Sequence, residues 1–140
     1  MSNEMKRKID AAIANGYRID IAPCAGVVRV TWRGQVIAQS KRAMVLNETR
    51  HNPVIYIPRE DANMAMMARS SHASHCPFKG DASYFSLVDG ATRAENAVWS
   101  YETPIPEAAG IAGHLAFYTK AMGASFGIEV ETLGAAVTTL

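Results

Sequence analysis

Alternation of apolar and polar residues dominates the chain and predicts short β-strands rather than helices. Val27–Ser40 is predicted to be a hairpin with Arg33-Gly34 at its tip, because the alternation continues on both sides of that pair. A two-residue turn there places one apolar set on a single face: Val28, Val30, Trp32 and Ile37. A second hairpin is predicted from Ala82–Val88 and Ala91–Tyr101, joined by Asp89-Gly90, which is a strong turn signal.

In the second hairpin the two faces differ in chemistry. One face is aliphatic or carries phenylalanine: Phe85, Leu87, Ala94 and Val98. The other is aromatic and polar: Tyr84, Glu95, Trp99 and Tyr101. Further short strands are predicted at Tyr17–Ala22, Ala43–Glu48, Pro53–Pro58, His114–Tyr118 and Gly127–Thr132.

Few segments carry a helical pattern. Residues 3–15 have apolar side chains at helical spacing and end at Asn15-Gly16, which predicts an amphipathic helix. Asp61 is predicted to cap a short methionine-rich helix, and Pro106 to begin a brief helix that ends at Ile111. Arg69 to Ser74 is polar and is predicted to be a loop. These elements predict a mainly β fold, a single small domain of antiparallel sheets with one or two short helices.

Composition limits the function classes. The 140 residues are 49% hydrophobic and 19% charged, which is enough for one domain with a real core. The net charge of +1 leaves no basic field for nucleic acid or an anionic membrane, and no apolar run has the length of a membrane span. We therefore expect no nucleic-acid partner and no membrane partner. Two cysteines, without a secretory signal pattern, favour free thiols in the cytoplasm.

The densest group of chemically active side chains lies in residues 75–84. Ten residues contain His75, Cys76, Lys79, Asp81 and a hydroxyl pair at 83 and 84. Pro77 and Gly80 would shape residues 75–81 as a loop, and loops on a rigid sheet often carry binding groups. The alternative is a structural turn with a buried cysteine and solvated charges.

A polar and aromatic set also falls opposite the aliphatic faces of the strands: Glu48, Tyr56, Tyr84, Glu95, Trp99, Tyr101, His114 and Tyr118. Aromatic walls with a few aimed polar groups are typical of a small-ligand pocket. The alternative is a tyrosine-rich second core whose hydroxyls find hydrogen-bond partners.

A metal site and a cysteine nucleophile are less favoured by the sequence than a ligand pocket. His72, His75, Cys76 and His114 could be ligands, but neither Cys24 nor Cys76 has the paired spacing of a structural zinc site. We expect no metal, and no zinc in particular. Cys76 could act as a nucleophile if His75, His114 or Lys79 activated it, and the alternative is a buried, inert thiol. Phosphate-loop and dinucleotide glycine patterns are absent from the sequence.

Several motifs together resemble the family called domain of unknown function 427 (DUF427). They span about residues 27–118: Ser40–Ala43, Glu48–Thr49, Tyr56–Asp61, Ser74–Tyr84, Ala97–Pro104 and Gly113–Tyr118. The family usually has Thr at Ser74 and Tyr at Phe78. The resemblance implies a small β fold similar to β-tent folds, without the cysteine pairs of the zinc-binding members. The family also carries a nucleotidyltransferase label, which implies an Asp-x-Asp pair, but this sequence contains no such pair.

The family's pattern maps onto twelve positions of this chain: Ser40, Glu48, Tyr56, Asp61, His75, Cys76, Lys79, Ser83, Tyr84, Trp99, Tyr101 and His114. The resemblance also divides the chain. Residues 1–22 are predicted to be an N-terminal helix and lead-in, residues 23–120 the β domain, and residues 121–140 a C-terminal tail.

Pattern and resemblance together predict a pocket for a small, anionic ligand. Its predicted binding residues are Glu48, Tyr56, Asp61, His75, Lys79, Ser83, Tyr84, Trp99, Tyr101 and His114. Lys79 would supply charge, and Trp99 or Tyr101 a stacking face. The first alternative is an enzyme that uses acid–base or transferase chemistry, with candidate catalytic residues His75, Cys76, His114 and Glu48 and a cofactor that the sequence does not identify. The second is an interaction module that forms a homodimer through the N-terminal helix and the tail.

Overall fold

Strands make up most of the fold. The structure is a computed structural model, and it describes residues 3–14 and 16–133. The elements are α1 (Asn3–Ala14), β1 (Ile19–Pro23), β2 (Val27–Trp32), β3 (Gln35–Ser40), β4 (Met44–Glu48), β5 (Val54–Tyr56), β6 (Met67–Cys76), β7 (Gly80–Asp89), β8 (Thr92–Ser100), β9 (Ala116–Phe117) and β10 (Ile128–Leu133). The predictions of a mainly β fold and of a helix near residues 3–15 are confirmed.

The strands form three antiparallel sheets. One has the order β1-β4-β5, the second β10-β2-β3 and the third β6-β7-β8-β9. Ile57 and Leu115 form an isolated antiparallel bridge, so the segments that follow β5 and precede β9 are joined by backbone hydrogen bonds. None of these sheets closes into a barrel within the described ranges.

The four-stranded sheet contributes to two cores from its two faces, because successive side chains of a strand point in opposite directions. The first core is mainly aliphatic and includes Val28, Val30, Trp32, Ile37, Ile57, Phe85, Leu87, Val98, Leu115, Phe117 and Ile128. The second core is mainly aromatic and includes Leu46, Tyr56, Ala82, Tyr84, Trp99, Tyr101, Ile111 and Ala116. The predicted separation of Phe85 and Val98 from Tyr84 and Trp99 is confirmed.

The first hairpin has its predicted tip but not its predicted register. Val30 pairs with Ala38, whereas an uninterrupted two-residue hairpin would pair it with Ile37. The pairing shifts between Val30 and Thr31, which is a β-bulge that adds one residue to β3. Ala38 and Ser40 are therefore buried, whereas an uninterrupted two-residue hairpin would place them on the face opposite to Ile37.

The polar segment from Arg69 to Ser74 is not a loop, and the loop prediction is wrong. It belongs to β6, which pairs with β7 along most of its length. The predicted loop 75–81 is likewise a hairpin, in which His75 pairs with Asp81 and only residues 77–79 form the turn. Gly80 has φ +117°, and a Cβ there would lie 3.3 Å from the Cα of Pro104, so glycine permits a close approach of two backbones.

The second hairpin turns at Gly90-Ala91, one residue later than predicted, because Asp89 pairs with Thr92, and it contains a bulge that moves Glu95. Phe85 pairs with Val98 and Leu87 with Ala94, so Ser86 alone faces three residues of β8. The hydroxyl of Ser86 donates to Glu95 and accepts from the backbone N–H of Asn96. Glu95 is consequently exposed and does not join the aromatic face that the alternation assigned to it.

The prediction that Asp61 caps a helix is wrong. Asp61 is the last residue of a 3₁₀ turn, Arg59–Asp61, and a second such turn, Met64–Met66, follows with no side-chain cap. The side chain of Asp61 binds Ser40 and Arg42 instead. The brief helix from Pro106 to Ile111 is confirmed, and it is a 3₁₀ helix.

Both ends of the described chain join the sheets. β1 pairs with β4, and β10 pairs with β2 over six residues. Hydrogen bonds thus cross the predicted domain boundaries after residues 22 and 120, while the boundaries themselves stay predictions. The end of the predicted tail, residues 134–140, and the side chains of Met5, Ile9, Ala12 and Ile13 lie outside what the structure describes. In residues 3–14 and 16–133, no helix combines the length and apolarity needed to cross a membrane.

Candidate functional site

A network of aromatic side chains occupies the second core. The indole N–H of Trp99 donates to the hydroxyl of Tyr56 at 3.2 Å, and the two rings meet edge to face. Trp99 also packs on Tyr118, with ring centroids 4.5 Å apart. The hydroxyl of Tyr84 lies 2.9 Å from that of Ser74 on β6. The predicted aromatic face is therefore assembled, with much of its polar surface hydrogen-bonded inside the protein.

Burial keeps these phenols protonated. It raises the pKa of Tyr56 to about 12, although the hydrogen bond from Trp99 and the charge of Lys79 act in the opposite direction. Burial also raises the pKa of Tyr101 and of Tyr118, and a hydrogen bond with Tyr84 adds to the effect at Tyr118. At neutral pH the hydroxyls of Tyr56, Tyr101 and Tyr118 are therefore protonated.

One ion pair lies beside this network. The ammonium of Lys79 donates to Oε1 of Glu48 at 2.6 Å, and each side chain is 11% exposed. Burial by itself lowers the pKa of Lys79, but the hydrogen bond to Glu48 and the nearby Cys76, Glu48 and Tyr56 raise it above its usual value. Lys79 therefore remains an ammonium at neutral pH, which excludes it as an amine nucleophile in this arrangement.

The hairpin turn places Lys79 at this position. Its backbone N–H donates to Cys76, and its carbonyl accepts from Ile105, so the turn is fixed on both sides. Glu48 is the last residue of β4 and points to the same side as Leu46, as the alternation predicted. Sequence reasoning thus identified both partners, although it expected a loop.

A cavity of about 650 Å³ opens beside Glu48, where the two cores meet. Its apolar wall comes from both: Leu46, Val54, Ile55, Trp99, Phe117, Met122, Ile128 and Val130. Its polar lining comprises Glu48, His51, Asn52, Thr119, Lys120 and Glu129. Of the predicted binding residues, Glu48 and Trp99 line this cavity. Lys79 and Tyr56 do not line it, but Lys79 is hydrogen-bonded to Glu48 and Tyr56 to Trp99.

Sequence reasoning missed the half of the cavity wall that comes from residues 119–130. These residues had been assigned mainly to a tail, because small and glycine-rich sequence gives a weak strand signal. The 3₁₀ turn Lys120–Met122 and strand β10 bring them to the cavity, and β10 is held there by pairing with β2. The alternation at Gly127–Thr132 predicted the strand, but no local signal predicted its partner.

The two histidines proposed as bases lie apart from the cavity lining. Nδ1 of His75 is 2.6 Å from Asp81, and both side chains are more than half exposed on the β6–β7 hairpin. Nδ1 of His114 is 3.1 Å from the carbonyl of Ala112. Neither His75 nor His114 is hydrogen-bonded to Glu48, the candidate catalytic carboxylate, in this arrangement.

Asp61 belongs to a separate surface group. Its carboxylate accepts from the hydroxyl of Ser40 at 2.6 Å and from the guanidinium of Arg42 at 3.0 Å. The hydrogen bond from Arg42, followed by the one from Ser40, lowers the pKa of Asp61. The contacts connect β3 to the 3₁₀ turn at residues 59–61 and explain why Ser40 is buried.

Ser83 belongs to a cluster of Arg59, Arg69 and Glu102 that the sequence did not reveal. Arg69 donates to both carboxylate oxygens of Glu102, and Arg59 donates to one of them at 3.1 Å. Both guanidiniums lie over the ring of Phe85, that of Arg59 at 5.3 Å and that of Arg69 at 4.9 Å from the ring centroid. The hydrogen bond from Arg69, with help from Ser83 and Arg59, lowers the pKa of Glu102 to about 2. The sequence motifs contain Arg59, Ser83 and Glu102 but not Arg69, and the convergence of these residues depends on tertiary pairing.

The two cysteines are both free and belong to different cores. Cys24 packs against the first core and Cys76 against the second. Across the part of the chain that the structure describes, no three histidine, cysteine, aspartate or glutamate side chains come together as metal ligands. Cys76 lies close enough to influence Lys79, but it is not among the residues lining the cavity.

Comparison with known proteins identifies a family. The family profile described as Domain of unknown function (DUF427) matches residues 20–127. A search of the curated proteins finds no match. The matched region begins in β1, contains the whole of the four-stranded sheet and ends just before β10.

Proposed function

The chain belongs to the DUF427 family, and from that premise we propose that this domain binds a small molecule in the cavity beside Glu48. The observation that carries the proposal is the meeting of an apolar wall with one buried, directional ion pair. Ligand pockets in proteins combine these two features, the first for affinity and the second for orientation. The volume of about 650 Å³ is within the usual range of such pockets.

The apolar wall favours binding by burial. Leu46, Phe117 and Ile128 are each at most 2% exposed, so they are held in place by the cores behind them. The wall also has an exposed part at Met122, which is 46% exposed. A ligand that covers this part removes apolar surface from water, and this contributes about 25 cal/mol for each Å². A rigid wall also limits the conformational entropy lost on binding.

Binding is favoured over catalysis by the state of the polar groups. Lys79 is held as an ammonium by Glu48, and burial keeps Tyr56 protonated. The histidines predicted as bases, His75 and His114, do not line the cavity, and His51, which does, lies 3.8 Å from Glu48, too far for a hydrogen bond. The homodimer through the N-terminal helix and the tail stays a prediction.

A matched pair of cavity-filling substitutions tests the proposal. Val54→Phe places a ring at the cavity wall, while Val36→Phe makes the same change at a valine that is 50% exposed and outside the lining. Naphthalene serves as a neutral apolar probe. NMR of ¹³C-labelled methyl groups should show saturable shifts at Leu46, Ile55 and Ile128, which line the cavity, and none at Leu87 in the first core.

We expect naphthalene to bind the unsubstituted protein and Val36→Phe equally, and Val54→Phe at least roughly tenfold more weakly. Shifts that are absent from the cavity methyl groups, or identical in the two variants, would contradict the proposal.

A further inference from the structure

The charged groups around the cavity are arranged in pairs. Lys79 is bound to Glu48, and Lys120 at the rim is 3.2 Å from Glu129. His51 is the remaining ionisable group of the lining, and its ring is mostly exposed. From this pairing we propose that the ligand is uncharged and carries an N–H or O–H donor that binds Oε2 of Glu48. The proposal rests on the proposed function and adds to it the chemical class of the ligand.

Oε2 of Glu48 is the atom to which a donor would bind. Lys79 uses Oε1, and Nε2 of His51 lies 3.8 Å from Oε2, which is too far for a hydrogen bond. No hydrogen bond to Oε2 is found among the residues 3–14 and 16–133. Glu48 lines the cavity, and a carboxylate oxygen that has accepting capacity to spare favours a ligand that donates.

An anionic ligand fits the charges poorly. The expectation of an anion assumed that Lys79 would be available, whereas its ammonium is 2.6 Å from Glu48. An anion in the cavity would meet the free oxygen of Glu48 before it met Lys79. It would have to lose hydration without gaining an unpaired cation, which is unfavourable in a partly dry site.

A cationic ligand has the opposite difficulty. It could pair with Oε2, but the site would then hold two cations around one carboxylate in a region of low dielectric. Glu48 and Lys79 are each nearly nine-tenths buried, so water screens that repulsion only weakly. A neutral donor satisfies Oε2 without changing the charge balance.

Three probes with the same apolar body isolate the head group. They are 2-naphthol, which is neutral and donates, 2-naphthoate, which is anionic, and 2-naphthylmethylamine, which is cationic at neutral pH. Each is titrated into the unsubstituted protein, with calorimetry for affinity and the cavity methyl groups for location. We expect 2-naphthol to bind about tenfold more tightly than the other two and more tightly than naphthalene.

The outcomes separate the two proposals. If naphthalene binds in the cavity but naphthoate or the amine binds as tightly as naphthol, cavity binding stands and the neutral-donor inference is overturned. The same conclusion holds if naphthol gains nothing over naphthalene. If none of the probes shifts the cavity methyl groups, both proposals fail.

A charge substitution reverses the expected preference. Glu48→Gln keeps an oxygen for Lys79 but removes the negative charge, so an unpaired ammonium remains beside the cavity. Naphthoate should then bind about tenfold more tightly than it binds the unsubstituted protein. Glu131→Gln is the matched control, because Glu131 is 54% exposed, binds Arg29 on the neighbouring strand and does not line the cavity.

The double variant Glu48→Gln/Lys79→Met guards against a folding defect in the single one. It contains no buried charge at this position, so naphthoate should lose the advantage gained in Glu48→Gln. Unchanged naphthoate affinity in Glu48→Gln, or an equal gain in Glu131→Gln, would overturn the inference.

Discussion

The two cores of this domain share one sheet but differ in how many buried polar groups they contain. In the first core, residues such as Val30, Leu87 and Leu115 are fully buried and have no side-chain polar atoms to satisfy. In the second core, Tyr56 and Trp99 are buried together with a hydrogen bond, and the Lys79–Glu48 pair adjoins them.

Their charges are also distributed differently. The first core has its charged groups outside, where Arg59 and Arg69 cover Phe85 and bind Glu102. The second core has an ion pair inside, facing a cavity. The difference indicates that the first core relies mainly on apolar burial, while the second combines burial with an ion pair and hydrogen bonds between side chains.

The largest expected effect compares one substitution in both cores. Leu87→Ala in the first core should lower the free energy of unfolding by about 3–4 kcal/mol, because Leu87 is fully buried and closely surrounded. Leu46→Ala in the second core should cost about 2 kcal/mol, because Leu46 lines a cavity and already lacks neighbours on one side. Urea unfolding of both variants measures the order. Equal losses, or a larger loss at Leu46, would remove the proposed difference between the cores.

Removal of the buried ammonium should be the next largest effect. Lys79→Ala leaves Glu48 in a mostly buried position without its counter-charge, and we expect a loss of about 2–3 kcal/mol with the fold retained. Lys120→Ala is the matched control, because both side chains of its ion pair with Glu129 are more than 60% exposed. That variant should change stability by no more than about 0.5 kcal/mol. Indistinguishable thermal unfolding of the two variants would show that the interior pair contributes nothing.

The alkaline limb of stability should depend on the same pair. The pKa of Lys79 is raised in the folded protein, so its contribution is complete below its unfolded pKa and is lost as pH rises through the folded one. The unfolding temperature should therefore fall above about pH 10.5, which is the usual value for lysine. Lys79→Met should flatten this decline, whereas Lys120→Met should leave it in place. Parallel alkaline profiles for the two variants would argue against the assignment.

A single hydroxyl tests the polar network of the second core. Tyr56→Phe removes the acceptor for the indole N–H of Trp99, and the free energy of unfolding should fall by about 1 kcal/mol. Phe85→Leu is the counterpart in the first core, and it removes no hydrogen bond. The measurement is the near-ultraviolet Trp signal together with urea unfolding. An unchanged Trp signal in Tyr56→Phe would mean that the hydrogen bond does not position the ring.

The smallest effect concerns Glu102, which binds Arg59 and Arg69 at the surface of the first core. The pKa of Glu102 is lowered to about 2, so its stabilising contribution is present above the unfolded value of about 4.5 and is lost as pH falls towards about 2. Stability measured across this interval should decline less in Glu102→Gln than in Glu131→Gln, which alters an exposed carboxylate on β10. Superimposable acid profiles would contradict this role of Glu102.

Local sequence was sufficient wherever one alternating face or one strong turn pair decided the structure. The helix at residues 3–14, the tip of the first hairpin, the strand near residues 127–132 and the brief helix after Pro106 follow from side-chain period and turn chemistry. The separation of Tyr84 and Trp99 from Phe85 and Val98 has the same origin. These features depend on residues that are only a few positions apart, so the local sequence is enough to predict them.

Tertiary structure alone decided the bulges, the ion-pair partners and the cavity. The bulge in β3 buries Ala38 and Ser40, and the one in β8 exposes Glu95, because strands adjust their register to pack a core that the local pattern does not contain. Lys79 and Glu48 are 31 residues apart, and Arg69 and Glu102 are 33 apart. The cavity needs β10 to close against β2 across about 100 residues. Contacts at such separation depend on the whole packed chain, so the sequence predicted which residues are chemically active, and the fold determined which of them meet.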